Sequence, residues 1–177
     1  MTTDDTLWYR IGRVTPSPTI DWAQVNRWID DIATLPANLR RTVTPLTNDQ
    51  LDTTHRPDGW TLRQVVHHVP DSHLNSLVRC KWTLTEERPV IKASDEKRWA
   101  TLPDVTAVSV GAALDLLESV HVAWVDLLRG LSWAQLQRGF VHPESGPATL
   151  AKTVGADAGH GRHHLAHIQR TLDRKDA

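Results

Sequence analysis

Four of the chain's ten histidines stand within eight residues, at His160, His163, His164 and His167. Neutral imidazole is the commonest side-chain ligand for divalent transition metals, and i, i+4 spacing on a helix lets two rings reach one ion. At about 100° per residue, His160, His164 and His167 fall within roughly 60° of one another. The apolar residues of the same segment, Val154, Leu165, Ile168 and Leu172, centre about 115° from His160. His164 borders that stripe, His160 lies one step further round, and His163 points almost directly away. The inward pair is therefore His160 and His164. The competing account is a solvated helix end whose histidines merely complement the negative end of the helix dipole.

An open catalytic metal site needs about three protein ligands and a free position for water or substrate. The third ligand should come from another helix. His67, His68 and His73 on a second helix, His121 on a third, and His55 and His142 in loops are the candidates. Periodicity puts His73 on the apolar face near Leu62 and Val66, with His68 and His67 toward opposite flanks, and does not choose among them.

The elements that must carry these residues are legible from apolar spacing and caps. Asp21 opens a first helix on Trp22, Val25, Ile29, Ile32, Leu35, Leu39 and Val43, running to about Thr44, and Pro36 predicts a kink in it. Thr61 and Gln64 form a capping-box pattern for the second helix, with Trp60 placed to pack on Val65 as a hydrophobic staple. Leu62, Val65, Val66, Val69, Leu77, Cys80 and Leu84 share one face of it, so Cys80 reads as a buried, inert thiol. Pro70 predicts a kink beside His68. Residues 86–103 form a long crossover with a short helix over 94–99. A third helix runs over about 108–129 to a stop at Gly130. Ser132 starts a short turn, a loop carries His142, Pro143, Glu144, Ser145, Gly146 and Pro147, and a fourth helix begins near Thr149. Leu46-Thr47-Asn48-Asp49-Gln50-Leu51 and Leu131-Ser132-Trp133-Ala134-Gln135-Leu136 are alike, which suggests one helix, turn, loop, helix unit used twice. With little β-alternation anywhere, a four-helix bundle is the economical all-α architecture.

At 177 residues the chain suits a single domain over 1–177, large enough to fold without disulfide or metal. Residues 1–19, with Pro16 and Pro18, read as an extended arm that Trp8 and Tyr9 could pin to the body. A net charge of -1 with dispersed basic residues carries no footprint for nucleic acid or an anionic membrane. No apolar run approaches the roughly 20 residues of a membrane span. The acidic, signal-free N-terminus and the lone Cys80 predict a cytoplasmic location. Eight tryptophans against one Phe and one Tyr are read as amphipathic core fillers.

Gly59-Trp60-Thr61-Leu62-Arg63-Gln64-Val65-Val66-His67-His68-Val69-Pro70-Asp71-Ser72-His73, Lys81-Trp82-Thr83-Leu84-Thr85-Glu86-Glu87, His142-Pro143-Glu144 and His163-His164-Leu165-Ala166-His167-Ile168 occur in an order that strongly resembles the DinB-like superfamily. The match is nearest to its YfiT branch of metal-dependent hydrolases and spans about Trp8 to Arg170. The resemblance implies a four-helix bundle with a long crossover between the second and third helices, and one divalent metal, zinc or nickel, per subunit. It also implies a homodimer. The family's ligand in the Val-Val-His-His stretch corresponds to His68, and its pair on the last helix to His160 and His164. Some relatives in this branch are bacillithiol S-transferases, and other DinB relatives use mycothiol or glutathione. The run Gly155-Ala156-Asp157-Ala158-Gly159-His160-Gly161 departs from the bulky residues usual there. Each helical Gly costs about 1 kcal/mol relative to Ala, so the run predicts either a loose first ligand or space opened for substrate, and a weakened metal site. Pro70, where the family often has Ala, is a second departure.

Three functions follow. In the first, a three-His metal activates water for hydrolysis of a small molecule, with Asp71, one turn from His68, and Glu144 as proton shuttles. In the second, the metal deprotonates an external low-molecular-weight thiol, and Arg63, Arg79 or Arg162 recognises its carboxylate. In the third, the metal is structural and the bundle is an interaction module, against which stands a chain long enough to fold unaided. From an unperturbed His pKa of about 6.5, metal affinity is expected to fall below about pH 6, with the fold outlasting the metal.

Overall fold

The computed structural model describes residues 19–174, and the predicted N-terminal arm with Trp8, Tyr9, Pro16 and Pro18 lies outside them. In chain order come α1 (Trp22–Val43), α2 (Asn48–Leu51), α3 (Leu62–Thr85), α4 (Glu96–Trp99) and α5 (Asp104–Ala107). They are followed by α6 (Val110–Arg129), α7 (Trp133–Leu136), β1 (Gly139–His142), β2 (Gly146–Thr149) and α8 (Leu150–Asp173). The four long helices form a bundle in which α1 and α3 each pack against both α6 and α8.

Side-chain caps start each long helix, at Asp21, Thr61, Ser109 and Thr149, the third of which the sequence reading did not single out. Asp21 Oδ1 accepts from the Gln24 amide at 2.7 Å. The Thr61–Gln64 box is closed in both directions, with the Gln64 amide donating to Thr61 Oγ1 at 3.2 Å and the Thr61 amide to Gln64 Oε1 at 2.9 Å. Two similar boxes, Thr47–Gln50 and Ser132–Gln135, cap α2 and α7, so the repeated hexapeptide encodes the same local device twice. Satisfying these otherwise orphaned amides is worth about 1 kcal/mol per cap. α1 and α3 both continue as helices through their prolines, Pro36 and Pro70.

The loop expected over 142–147 is the turn of a two-stranded antiparallel hairpin pairing Gly139 with Thr149 and His142 with Gly146. Its strands are four residues long, too short for alternation to stand out, and Gly146 takes φ +79° at the turn. The hairpin also holds the crossover. Ile91 donates to the Val141 carbonyl at 3.0 Å, and Val141 to the Pro89 carbonyl at 2.9 Å. Further along, Gln64 Nε2 donates to the Ala100 carbonyl at 2.8 Å, tying α4 to the start of α3. Together these bonds fold the crossover over one side of the bundle.

Two apolar clusters fill the interior. One gathers Val25, Ile29 and Ile32 of α1, Leu77 and Cys80 of α3, Trp124 and Leu128 of α6, and Val154 and Ala158 of α8. The other gathers Leu35 and Leu39, Leu62, Val65, Val66 and Val69, Leu114 and Leu117, and Ile168. Buried His73 and His164 fall between the two clusters along their helices, and buried His121 follows Val120 of the first cluster on α6. A polar layer through the middle of a hydrophobic core costs stability unless its nitrogens are hydrogen-bonded or bound, which marks it as the place where function overrides packing. Cys80 is buried as expected, and desolvation pushes its thiol up to about 11.

Gly155 and Gly161 of α8 do not open space for a substrate. α8 is continuous, and a Cβ on Gly155 would stand 2.9–3.0 Å from the Trp28 ring, one on Gly161 2.5 Å from Leu35 Cδ2. Both are close-approach positions that let α8 lie against α1. Exchanging Gly155 for Ala in an open helix would gain about 1 kcal/mol. Here the rigid indole must move, and overpacking of this kind costs about 1–3 kcal/mol. Gly155→Ala should therefore be net destabilising by about 1 kcal/mol in chemical denaturation. A gain in stability would refute the close-packing account.

Candidate metal centre

His160 and His164 reach inward from α8, and His68 faces them from α3. Nε2 of His68 and Nε2 of His164 each lie 3.0 Å from Nε2 of His160. All three ligand atoms fall within 4.8 Å of one another, an arrangement that could hold a metal ion. Bonds of about 2.0–2.1 Å at tetrahedral angles would set ligand nitrogens about 3.3 Å apart, so the trio needs little movement to close on a zinc-like ion. His68 is fixed from its other side by the Trp60 ring, with centroids 4.8 Å apart. The residue expected as a staple thus packs on a candidate ligand.

Burial keeps these rings neutral, the form that binds metal. Desolvation lowers His68 to about 4 and His160 to about 3, the latter helped by neighbouring His68 and His163. His164 is held well below its ordinary value by the same burial and by His160.

The other histidines are sorted by the fold. His73, which periodicity places on the apolar face, stands behind the trio, its Nε2 3.2 Å from His160 Nδ1. Behind His73 comes His121, with His73 Nδ1 2.8 Å from His121 Nε2 and His121 Nδ1 2.7 Å from the Ile32 carbonyl. Sequence reasoning had no use for this pair beyond ligand candidacy, although each interrupts an otherwise apolar stripe. His67 is buried on the opposite flank of α3, near Val108. His55 stacks on His167 at 4.8 Å and accepts no role at the trio. His142 ends β1, its Nδ1 accepting from the Glu144 amide at 3.2 Å. His163, expected to point away, instead lines the rim, 5.2 Å from the His164 ring and 4.0 Å from His167.

A pocket of about 390 Å³ opens directly onto the trio. Trp60 and Trp99 give it apolar walls, and Asp71 and Glu96 give it carboxylates. Trp99, Glu96 and Ser94 arrive from the folded crossover, so the long connection supplies one wall of the site. Asp71, half-buried, has its carboxyl pushed up to about 6, first by desolvation and then by the negative charge of Asp104. Glu144 is not brought here. It is exposed in the turn between β1 and β2, because the hairpin register carries 143–145 away from the helices.

The three arginines considered for anion recognition are committed elsewhere. Arg63 pairs with Asp52 at 2.7 Å, Arg162 pairs with Asp31, and Arg79 donates to the Lys92 carbonyl at 3.3 Å. One carboxylate that spacing did not single out is Asp157, a turn before His160. Its Oδ1 accepts from Ser76 Oγ at 2.9 Å, and burial raises its carboxyl to about 7. It bolts α8 to α3 below the trio and lies outside the pocket lining.

Residues 23–168 match the DinB superfamily. Proteins of Oceanobacillus iheyensis and Bacillus mycoides, each bearing the name "Putative metal-dependent hydrolase", are 47% identical over 168 residues, which is 95% of this chain and 97% and 96% of theirs. YfiT from Bacillus subtilis, described as "a probable metal-dependent hydrolase with an unusual four-helix bundle topology", has a TM-score of 0.93 and 42% identity over 97% of this chain and 98% of its own. A mycothiol-dependent maleylpyruvate isomerase shares the fold alone, at TM-score 0.64 and 15% identity over 81% of this chain and 60% of that one. With the family match and the 47% identical relatives both running along nearly the whole described bundle, the chain belongs to the DinB superfamily.

Proposed function

We propose that the protein is a metal-dependent hydrolase of a small molecule, in which His68, His160 and His164 hold one divalent ion, zinc or nickel. The observation that carries this reading is the convergence of three Nε2 atoms on the floor of an open pocket beside a half-buried carboxylate. A divalent ion there would supply a Lewis acid that polarises an electrophile and lowers the pKa of water toward neutrality. Asp71 is the proton acceptor and donor. Its carboxyl, at about 6, is half ionised close to neutral pH, which suits a group that must take a proton and return it. Trp60 and Trp99 offer apolar area to the substrate and exclude water. Glu96 adds negative charge, so a neutral or amine-bearing substrate fits better than an anionic one. Glu144 has no part in this scheme.

The thiol-transfer alternative requires a carboxylate-bearing cofactor such as bacillithiol. Among the described residues the pocket lining holds two carboxylates and no Lys or Arg, which disfavours it. The interaction-module alternative requires a closed fourth position, whereas the trio faces the pocket. No described helix is long and apolar enough to cross a membrane. A cytoplasmic homodimer belongs to the same reading, and sedimentation analysis of the native protein tests the assembly.

The decisive experiment is elemental analysis of the purified protein followed by parallel screens of ester, amide and thiol-conjugation substrates with and without the metal. Metal-dependent hydrolysis supports the reading, and metal-dependent thiol conjugation without hydrolysis overturns it. Once a substrate is found, Asp71→Asn should lower kcat by about 10²- to 10⁴-fold with metal content unchanged. The native rate should fall as pH drops through about 6, because the carboxylate form is the one that accepts the proton. An unaltered acidic limb in the variant would remove Asp71 from the mechanism.

A further inference from the structure

The contacts behind His160 fix where its proton sits. A carbonyl oxygen only accepts, so the 2.7 Å contact between His121 and Ile32 requires the proton on His121 Nδ1. Neutral His121 then offers a lone pair at Nε2, and the 2.8 Å contact requires His73 to donate from Nδ1. His73 Nε2 is thereby an acceptor, and the 3.2 Å contact requires His160 to donate from its own Nδ1. What remains is a lone pair on His160 Nε2, the atom on which His68 and His164 converge. The His73 and His121 ring planes lie within 11° of parallel with centroids 4.9 Å apart, and the two residues are 0% and 2% exposed.

The origin of the chain lies in α1. Ile32 precedes Pro36 by four residues, and the carbonyl at that position would ordinarily accept an amide proton from the residue at 36. Proline has none. The proline inside α1 thus frees a buried carbonyl, which His121 takes up from α6.

Resting on the reading of His160 as a ligand, we infer that His73, His121 and the Ile32 carbonyl freed by Pro36 are a positioning relay that locks His160 in the Nδ1–H tautomer and aims its Nε2 lone pair at the metal. Groups that hydrogen-bond the free nitrogen of a ligating histidine act in this way in metal sites generally, each at a cost of about 10- to 100-fold in metal affinity when removed. Here the partner is a chain of two further imidazoles crossing the bundle from α8 through α3 and α6 to α1. Without His121, His73 is free to carry its proton on Nε2 and donate to His160 Nδ1. That would place the His160 proton on Nε2 and block the ligand atom.

Long-range ¹H–¹⁵N correlation spectra of imidazole-labelled protein, kept metal-free, report each tautomer directly. Nδ1–H at His121, His73 and His160 is expected, and Nε2–H at His73 or His160 would overturn the relay whether or not metal binds. Titration with Zn(II) alone provides the second readout. His121→Phe should weaken Zn(II) binding by about 10- to 100-fold, while His121→Gln, whose amide can donate to Ile32 and accept from His73, should restore most of it. Circular dichroism establishes that each variant is folded. Equal Zn(II) affinity in folded His121→Phe and the native protein would sink the inference. If the native protein binds no Zn(II) or Ni(II) while all three rings show Nδ1–H, the metal reading fails and the proton order stands.

Discussion

Replacing His68, His160 or His164 with Ala is expected to remove stoichiometric metal, and replacing His163 to leave it in place. A four-ligand structural zinc is worth roughly 10–16 kcal/mol, so one ligand carries about 2.5–4 kcal/mol, or roughly 10²- to 10³-fold in affinity. That loss takes a site from retained to emptied during purification. His163 lines the pocket rim and contacts the His164 ring, but is outside the group whose nitrogens converge. His163→Ala should therefore alter substrate handling and not metal content. His73→Ala should fall between these limits, weakening binding through the relay without abolishing it. Elemental analysis after gel filtration, with metal titration for the weakened variants, reads all five proteins. Equal loss on removing His163 would mean that the ligand set is wrong.

The second large effect concerns acid. An exposed three-His site would lose metal below about pH 6 and keep its fold. The buried layer changes this expectation. His68 and His121 are lowered to about 4, His160 to about 3, and His73 and His164 well below their ordinary value, all chiefly by desolvation. As pH falls from 6.5, the unfolded chain takes up protons on these histidines and the native state does not, so stability drops throughout that window. Each pKa unit of difference is about 1.4 kcal/mol per group. The shifts all run in the same direction, so the loss is large beside the roughly 5–15 kcal/mol stability of a typical domain. Stability from this layer is fully present above about pH 6.5 and falls steadily as pH drops through about 4 toward 3. Acid titration followed by circular dichroism and bound metal should therefore show helix and metal lost together between about pH 6 and 4. Chelation at pH 7.5 should remove metal and leave the helices intact, since both apolar clusters are independent of the ion. Helix loss on chelation at neutral pH would favour a structural metal over the open site. Metal release near pH 6 with the fold intact would show the histidines to be more solvated than their burial implies.

Local chemistry, acting over a few residues, was readable from the sequence. The Thr61–Gln64 box, the stripe that buries Cys80 and the inward-facing rings of His160 and His164 all depend on spacing within one helix, and the structure places each as read. The family motifs carried the bundle and the crossover. What spacing could not reach was axial register between helices. An apolar stripe fixes how a helix is rotated about its own axis, and says little about which residue of a neighbour lies level with it. His68 and His160 are 92 residues apart, and His121 and Ile32 are 89. Six candidate third ligands therefore stayed open to spacing, and once the helices were set side by side one of them faced the α8 pair, two stood in line behind His160 and three lay elsewhere. The same limit hid the roles of Gly155, Gly161 and Pro36. Each breaks a rule of its own helix, and the reason lies on another element: the Trp28 ring and Leu35 against α8, and the His121 ring waiting for a carbonyl that only a proline leaves free.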